Sequence, residues 1–119
     1  MSALLPDAEL TMEVSVEQVA SWFGLPADER PCLLDCREAA ELDICRIEGS
    51  EWLPLGEVPQ SFERLKTLAQ RGIVVYCHHG MRSMHATAFM RARGIDQSFS
   101  MAGGIEEWAR CIDRAMERY

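Results

Sequence analysis

The tetrapeptide Ile73-Val74-Val75-Tyr76 is apolar on both of its alternating faces. A strand of that kind has no side to turn to water, so it belongs at the centre of a parallel sheet with helices packed over both faces. The chain runs from it straight into Cys77 and a glycine-containing segment, His78-His79-Gly80-Met81-Arg82-Ser83. With 119 residues, 48% of them hydrophobic, there is material for one covered sheet, and residues 1–119 are read as a single domain.

The remaining segments supply the partners that such a strand needs. Leu10 to Val14 alternates apolar and polar residues as a strand does. Ser15-Val16-Glu17-Gln18 fits a capping box, and Val16, Val19, Ala20 and Phe23 then repeat at helical spacing until Gly24. After the loop Leu25 to Pro31, the run Cys32-Leu33-Leu34-Asp35 reads as a buried strand that delivers Asp35 to its carboxyl end. Arg37 to Asp43 is a short helix candidate, and Ile47 to Leu55, with Gly49, Trp52 and Pro54, suits a loop and a short strand. Pro59 is placed in the first turn of a helix whose stripe is Phe62, Leu65, Leu68 and Ala69. From Ser83 on, Ala86, Phe89, Met90 and Arg93 share a face until Gly94. Gln97 to Met101 follows as a strand, Gly103-Gly104 as a tight turn and Ile105 to Arg118 as a helical tail. Strands and helices alternate, which predicts an α/β domain with a largely parallel sheet.

Twelve basic against nineteen acidic residues give a net charge of −7, which lacks the basic field that a phosphate backbone requires, so no nucleic-acid partner is expected. The five cysteines are odd in number and scattered singly, a pattern of reduced thiols in a cytoplasmic protein. Met1 to Leu10 carries acids where a signal peptide has a basic segment and an apolar run, and no apolar stretch approaches the roughly 20 residues that cross a bilayer. No membrane association is expected.

In parallel sheets ligands collect beyond the carboxyl ends of the strands. Cys77 sits at such an end, before a helix whose dipole and free N–H groups favour an anion. A free cysteine of pKa near 8.5 is only about 3% thiolate at pH 7, whereas a helix end and a nearby cation lower that pKa by roughly a unit or more. Arg82 is the nearby cation, so no histidine base is needed to make Cys77 reactive. Cys77, His78, His79 and His85 lack the spacings of structural zinc sites, so no metal is expected, and His85 is assigned to the solvent side of its helix.

Asp35-Cys36-Arg37-Glu38, the loop Val75 to Ser83, and Ala102-Gly103-Gly104-Ile105 with Trp108 together resemble the three motifs of single-domain rhodanese-like sulfurtransferases. The likeness spans about Val16 to Arg110. It implies a five-stranded, mainly parallel sheet flanked by helices, and Cys77 as the catalytic residue that becomes a persulfide. The thiolate would take sulfane sulfur from a small anionic donor such as thiosulfate or from a protein persulfide, and a thiol or cyanide would then remove it. His78, His79, Gly80, Met81, Arg82 and Ser83 would form the loop that holds the sulfur, with Arg82 attracting the donor. No cofactor is implied. Only four residues separate Cys77 from Arg82, a smaller cradle than the phosphate-binding loop of the tyrosine phosphatases. Asp35 and Arg37 are expected to form a hydrogen-bonded pair that fixes neighbouring loops, and Trp108 to lie in the core.

Two other readings stay open: a persulfide carrier served by a partner protein, and an inactive interaction module of the same fold. Cys36 is expected to pack in the core, because alternation turns it away from Asp35 and Arg37; the competing role is to resolve a Cys77 persulfide into a disulfide. Cys32, Cys45 and Cys111 are read as packing or surface thiols. Cys45-Arg46-Ile47-Glu48-Gly49-Ser50 departs from the family pattern by placing Arg46 where a histidine is usual.

Overall fold

The computed structural model describes residues 4–119; residues 1–3, the start of the segment read as lacking a signal peptide, lie outside it. The strands are β1 (Glu13–Val14), β2 (Cys32–Asp35), β3 (Glu51–Trp52), β4 (Ile73–Tyr76) and β5 (Ser98–Met101). The helices are α1 (Val16–Trp22), α2 (Ala39–Leu42), α3 (Phe62–Leu68), α4 (Met81–Ala92) and α5 (Gly104–Cys111). All pairings are parallel, in the order β1-β5-β4-β2-β3, so β4 is the central strand. This is the α/β architecture that its two apolar faces demand.

Those faces carry two separate cores. Leu33, Val74, Tyr76, Phe99 and Met101 pack against Val16, Val19 and Trp22 of α1 and Ile105 and Trp108 of α5. On the other side Leu34, Ile73 and Val75 pack with Leu65 of α3 and Ala86 and Met90 of α4, and both Cys36 and Cys77 belong to this second core. The period-two alternation of a strand explains the division: positions 34 and 36 share one face of β2 and its extension, as 73, 75 and 77 do for β4. Registration then brings them together. Asp35 pairs with Tyr76, and the Cys36 amide donates to the Tyr76 carbonyl at 3.0 Å, so positions 36 and 77 leave the sheet side by side.

Several elements differ from their expected extents for identifiable reasons. The capping box of α1 forms as read, with Ser15 and Gln18 exchanging bonds of 3.1 and 2.8 Å. β1 is confined to two residues because the Thr11 hydroxyl turns the chain locally, accepting from the Glu13 amide at 3.0 Å. Pro59 lies outside α3, ahead of its N-cap Ser61. α4 begins two residues before Ser83 because Gly80, at φ +112°, turns the chain directly into the helix. α5 stops at Cys111, well short of Arg118: the amides of Ile112 and Asp113 both donate to the Trp108 carbonyl, and the Asp113 carboxylate accepts from the Ala115 amide in a turn of its own. Among the described residues no helix is long and apolar enough to cross a membrane.

Candidate active site

The first amides of α4 have no partner inside the helix, and its N-cap, Gly80, has no side chain with which to satisfy them. The sulfur of Cys77 takes that place. Its Sγ accepts from the Gly80 amide at 3.1 Å and from the Ser83 amide at 3.3 Å, and the Ser83 hydroxyl lies 3.5 Å away. That hydroxyl is itself held against the Ser100 hydroxyl of β5 at 2.7 Å. The loop is thus wound around one sulfur atom.

The carbonyls of the same loop are fixed from below by α5. Ile105 and Glu106 donate their amides to the carbonyls of Cys77 and His78 at 2.8 and 3.1 Å. Gly104, at φ +64°, is required there, since a Cβ would sit 2.6 Å from the Cys77 carbonyl oxygen and closer still to that of His78. The Gly-Gly motif therefore serves close approach of α5 to the sulfur loop.

Cys36, fully buried, lies beside Cys77 in the same core, on the β2 side. Its S–H bond is the largest influence holding the Cys77 pKa down to about 4; burial opposes the shift, and the Ser83 and Gly80 donors reinforce it. The same contact, with burial, pushes the Cys36 thiol far above its ordinary range. Cys77 is accordingly the thiolate and Cys36 the proton-bearing partner. Alternation correctly turned Cys36 away from Asp35 and Arg37, but that direction leads to Cys77, which only the inter-strand register reveals.

Arg82 stands differently from expectation. Its guanidinium forms a two-pronged ion pair with Glu41 at the end of α2, at 2.7 and 2.9 Å, instead of lying free toward the loop. Arg82 draws the Glu41 pKa down to about 2. The positive potential at the sulfur comes chiefly from its hydrogen-bond donors, and the Arg82 charge, which still acts on Cys77, is already matched by Glu41.

Asp35 and Arg37 form the buried pair that was expected: the guanidinium donates to both carboxylate oxygens, at 2.7 Å in the shortest bond, and the Arg37 amide adds another at 2.9 Å. Arg37 also donates to the Cys45 carbonyl at 2.7 Å and to the Tyr119 hydroxyl at 2.9 Å. The Tyr119 hydroxyl donates to Glu41 at 2.7 Å and its ring stacks on His78, 3.8 Å between centroids, while His79 stacks on that imidazole at 3.9 Å. The two imidazoles are thus engaged in stacking, His78 with both His79 and Tyr119, and neither is bonded to the sulfur. Met81 projects into solvent at 74% exposure beside the loop, and His85 and Arg46 are exposed. Sequence reasoning missed Glu41 and Tyr119, which lie at distances along the chain that no local motif spans. Among the described residues no three His, Cys, Asp or Glu side chains converge as a metal site needs.

The rhodanese-like domain profile matches residues 16–111. The chain is 30% identical over 118 residues to a tRNA uridine(34) hydroxylase of Caulobacter vibrioides, covering 90% of this chain but only 38% of the hydroxylase, so it spans well under half of that relative. It is 25% identical over 95 residues to the thiosulfate sulfurtransferase GlpE of Tolumonas auensis, covering 80% of this chain and 85% of GlpE. Among solved structures, the human single-domain sulfurtransferase TSTD1 superposes with a TM-score of 0.68 at 25% identity, over 85% of this chain and 97% of that one. With the sulfur loop, the buried Asp35–Arg37 pair and the glycine-seated α5 all present, the chain belongs to the rhodanese-like domain family.

Proposed function

We propose that the protein transfers sulfane sulfur through a persulfide on Cys77. The observation that carries this reading is the set of loop donors on one sulfur, the Gly80 and Ser83 amides, with the Ser83 hydroxyl at 3.5 Å. A thiolate so held attacks the outer sulfur of thiosulfate or of a persulfide donor, the donor's sulfur–sulfur bond breaks, and sulfite or a thiolate departs. The acquired sulfur extends Cys77 to Cys77–S–S⁻ within a loop of N–H groups suited to an anion. A thiol or cyanide then takes the outer sulfur and returns the Cys77 thiolate. Each step is a displacement at sulfur, and no cofactor enters it. The similarity to GlpE and TSTD1 supports this chemistry, and the short loop from Cys77 to Arg82 suits a sulfur atom better than a phosphate.

Intact-mass measurement tests the reading directly. Treatment with thiosulfate or glutathione persulfide, quenched in acid at early times, is expected to add one sulfur atom to the wild type and none to Cys77→Ser. A wild type that gains no sulfur from either donor would overturn it. The Arg82–Glu41 pair adds a second expectation, because the Arg82 charge is withheld from an anionic donor. Glu41→Gln should lower the KM for thiosulfate by about two- to fivefold, the effect of releasing a partly exposed ion pair. Further replacement of Arg82 by Ala should erase that gain. Steady-state transfer to cyanide reads both, and an unchanged KM in Glu41→Gln would show that Arg82 does not meet the donor.

A further inference from the structure

Cys36 is a second thiol at the reacting sulfur, and the transfer cycle leaves it without a bond-making step. Packing alone does not need sulfur at that position, since Leu34 and Val75 fill the neighbouring places of the same core. Its location is fixed by the sheet: the amide of Cys36 is bonded to the Tyr76 carbonyl at 3.0 Å, and the registered pair Asp35 and Tyr76 immediately precedes the two cysteines. Adjacent strands run roughly 4.8 Å apart, within the Cα separation of about 4.4 to 6.8 Å that a disulfide spans. Both side chains point to the same face and belong to one buried cluster. Cys36 approaches from the β2 side, the loop amides from the α4 side.

We propose that Cys36 attacks the inner sulfur of a Cys77 persulfide, forming a Cys36–Cys77 disulfide and releasing the outer sulfur as hydrosulfide. This step rests on the reading of Cys77 as a persulfide carrier. The balance is Cys36–SH plus Cys77–S–S⁻ giving Cys36–S–S–Cys77 plus HS⁻. The bond between the two persulfide sulfurs breaks, its electron pair leaves with the outer sulfur, and the proton of Cys36 departs on that sulfide. A dithiol reductant then restores both thiols and is itself oxidised to a disulfide. The protein thereby gains an activity beyond transfer to an acceptor: reductive release of sulfide from sulfane sulfur.

The loading step itself prepares Cys36 for attack. In the resting site the thiol donates to the Cys77 thiolate, and this bond is the first cause of its raised pKa, with burial second. Once sulfur is bound, the negative charge moves out from Cys77 Sγ by one S–S bond of about 2.05 Å. The inner sulfur becomes an electrophile next to a thiol whose acceptor has gone. Register and the shared core place Cys36 beside the Cys77 side chain that carries the inner sulfur, so position favours disulfide formation over passing the sulfane sulfur to Cys36.

Desalted, sulfur-loaded protein kept without oxygen, thiol or cyanide tests the step. The wild type is expected to lose its extra sulfur, release one sulfide per chain, and end two hydrogens lighter than the reduced protein, with a Cys36–Cys77 cross-linked peptide. Cys36→Ser and Cys36→Ala are expected to keep the added sulfur and release none. Sulfur retained as long in the wild type as in both variants overturns the resolving step alone, as does sulfane sulfur mapped to Cys36 or a cross-link to any other cysteine. No sulfur gain in the wild type or either variant, from either donor, overturns the persulfide reading and this step with it. The wild-type peptide map distinguishes these outcomes even if one variant fails to fold.

Discussion

Alkylation of Cys77 by iodoacetamide is expected to hold a plateau across neutral pH and to fall by half near pH 4, where its thiolate takes up a proton. The other thiols should stay silent under those conditions. Burial lifts Cys32 to about 12, Cys36 is held protonated by its bond to Cys77, burial raises Cys45 and the Glu107 carboxylate raises Cys111. Replacing Cys36 by Ala removes the leading donor to the thiolate. A hydrogen bond to a charged group contributes about 1.5 to 3 kcal/mol, and one pKa unit is worth about 1.4 kcal/mol, so the half-point should climb by about one to two units. Alkylation rates against pH for the two proteins measure this, and coincident profiles would show that Cys36 does not bond the thiolate. The sign of the linked stability follows. Because the folded pKa lies below the unfolded one, the thiolate stabilises the fold fully above the unfolded value of roughly 8.5, and that contribution is lost as the pH falls toward about 4.

For the proposed transfer cycle, magnitudes separate the half that so low a pKa would serve from the half that it would not. Full ionisation at pH 7 raises the thiolate fraction about 30-fold over an ordinary cysteine. With a Brønsted slope of about 0.45, a drop of roughly 4.5 units costs about 100-fold in intrinsic nucleophilicity toward sulfur. Loading would therefore lose about threefold from the shift. Unloading gains directly, since Cys77 is the leaving group when an acceptor takes the outer sulfur, and a less basic thiolate leaves faster. In the proposed cycle the donors around Cys77 would meet the charge that reappears on its sulfur as transfer completes, which would place the Cys36 proton in the acceptor step as well.

What could be read from sequence divides along the length scale of the interactions. β2 and β4 occupy the residues their apolar runs mark, because two-faced burial writes itself into consecutive side chains. The capping box at Ser15 and the sulfur loop were legible for the same reason, being set by neighbours a few residues apart. α2 falls inside the Arg37–Asp43 helix candidate, but its ends and the early stop of α5 were not legible, since ends of helices are decided by single side-chain bonds such as that of Asp113. The site's long-range members were invisible altogether. Glu41 meets Arg82, and Tyr119 meets Arg37 and His78, across separations that only the folded chain closes. Cys36 is the instructive intermediate: its facing direction followed from alternation, and its neighbour required the register.

Arg37→Met is expected to be the most destabilising single replacement in the site, by about 3 to 5 kcal/mol, a large part of the 5 to 15 kcal/mol typical of a domain. Asp35 is 1% exposed and would keep a buried charge with no cation to match it. The loss does not end there. Arg37 also serves the Cys45 carbonyl and the Tyr119 hydroxyl, so its removal orphans the carbonyl on the segment after α2 and leaves Tyr119 with Glu41 alone. Adding Asp35→Leu to Arg37→Met should recover only part of the stability, because the carboxylate is gone but the Cys45 carbonyl is still unserved. Urea unfolding of both variants measures the sequence of losses. A single variant within about 1 kcal/mol of wild type would show that the pair is not held in the dry core. The consequence reaches the sulfur: α2, loosened at its end, carries Glu41, and without Glu41 in place the Arg82 guanidinium is released. Folded Arg37→Met should therefore show a lower thiosulfate KM, as Glu41→Gln does, even while its stability falls.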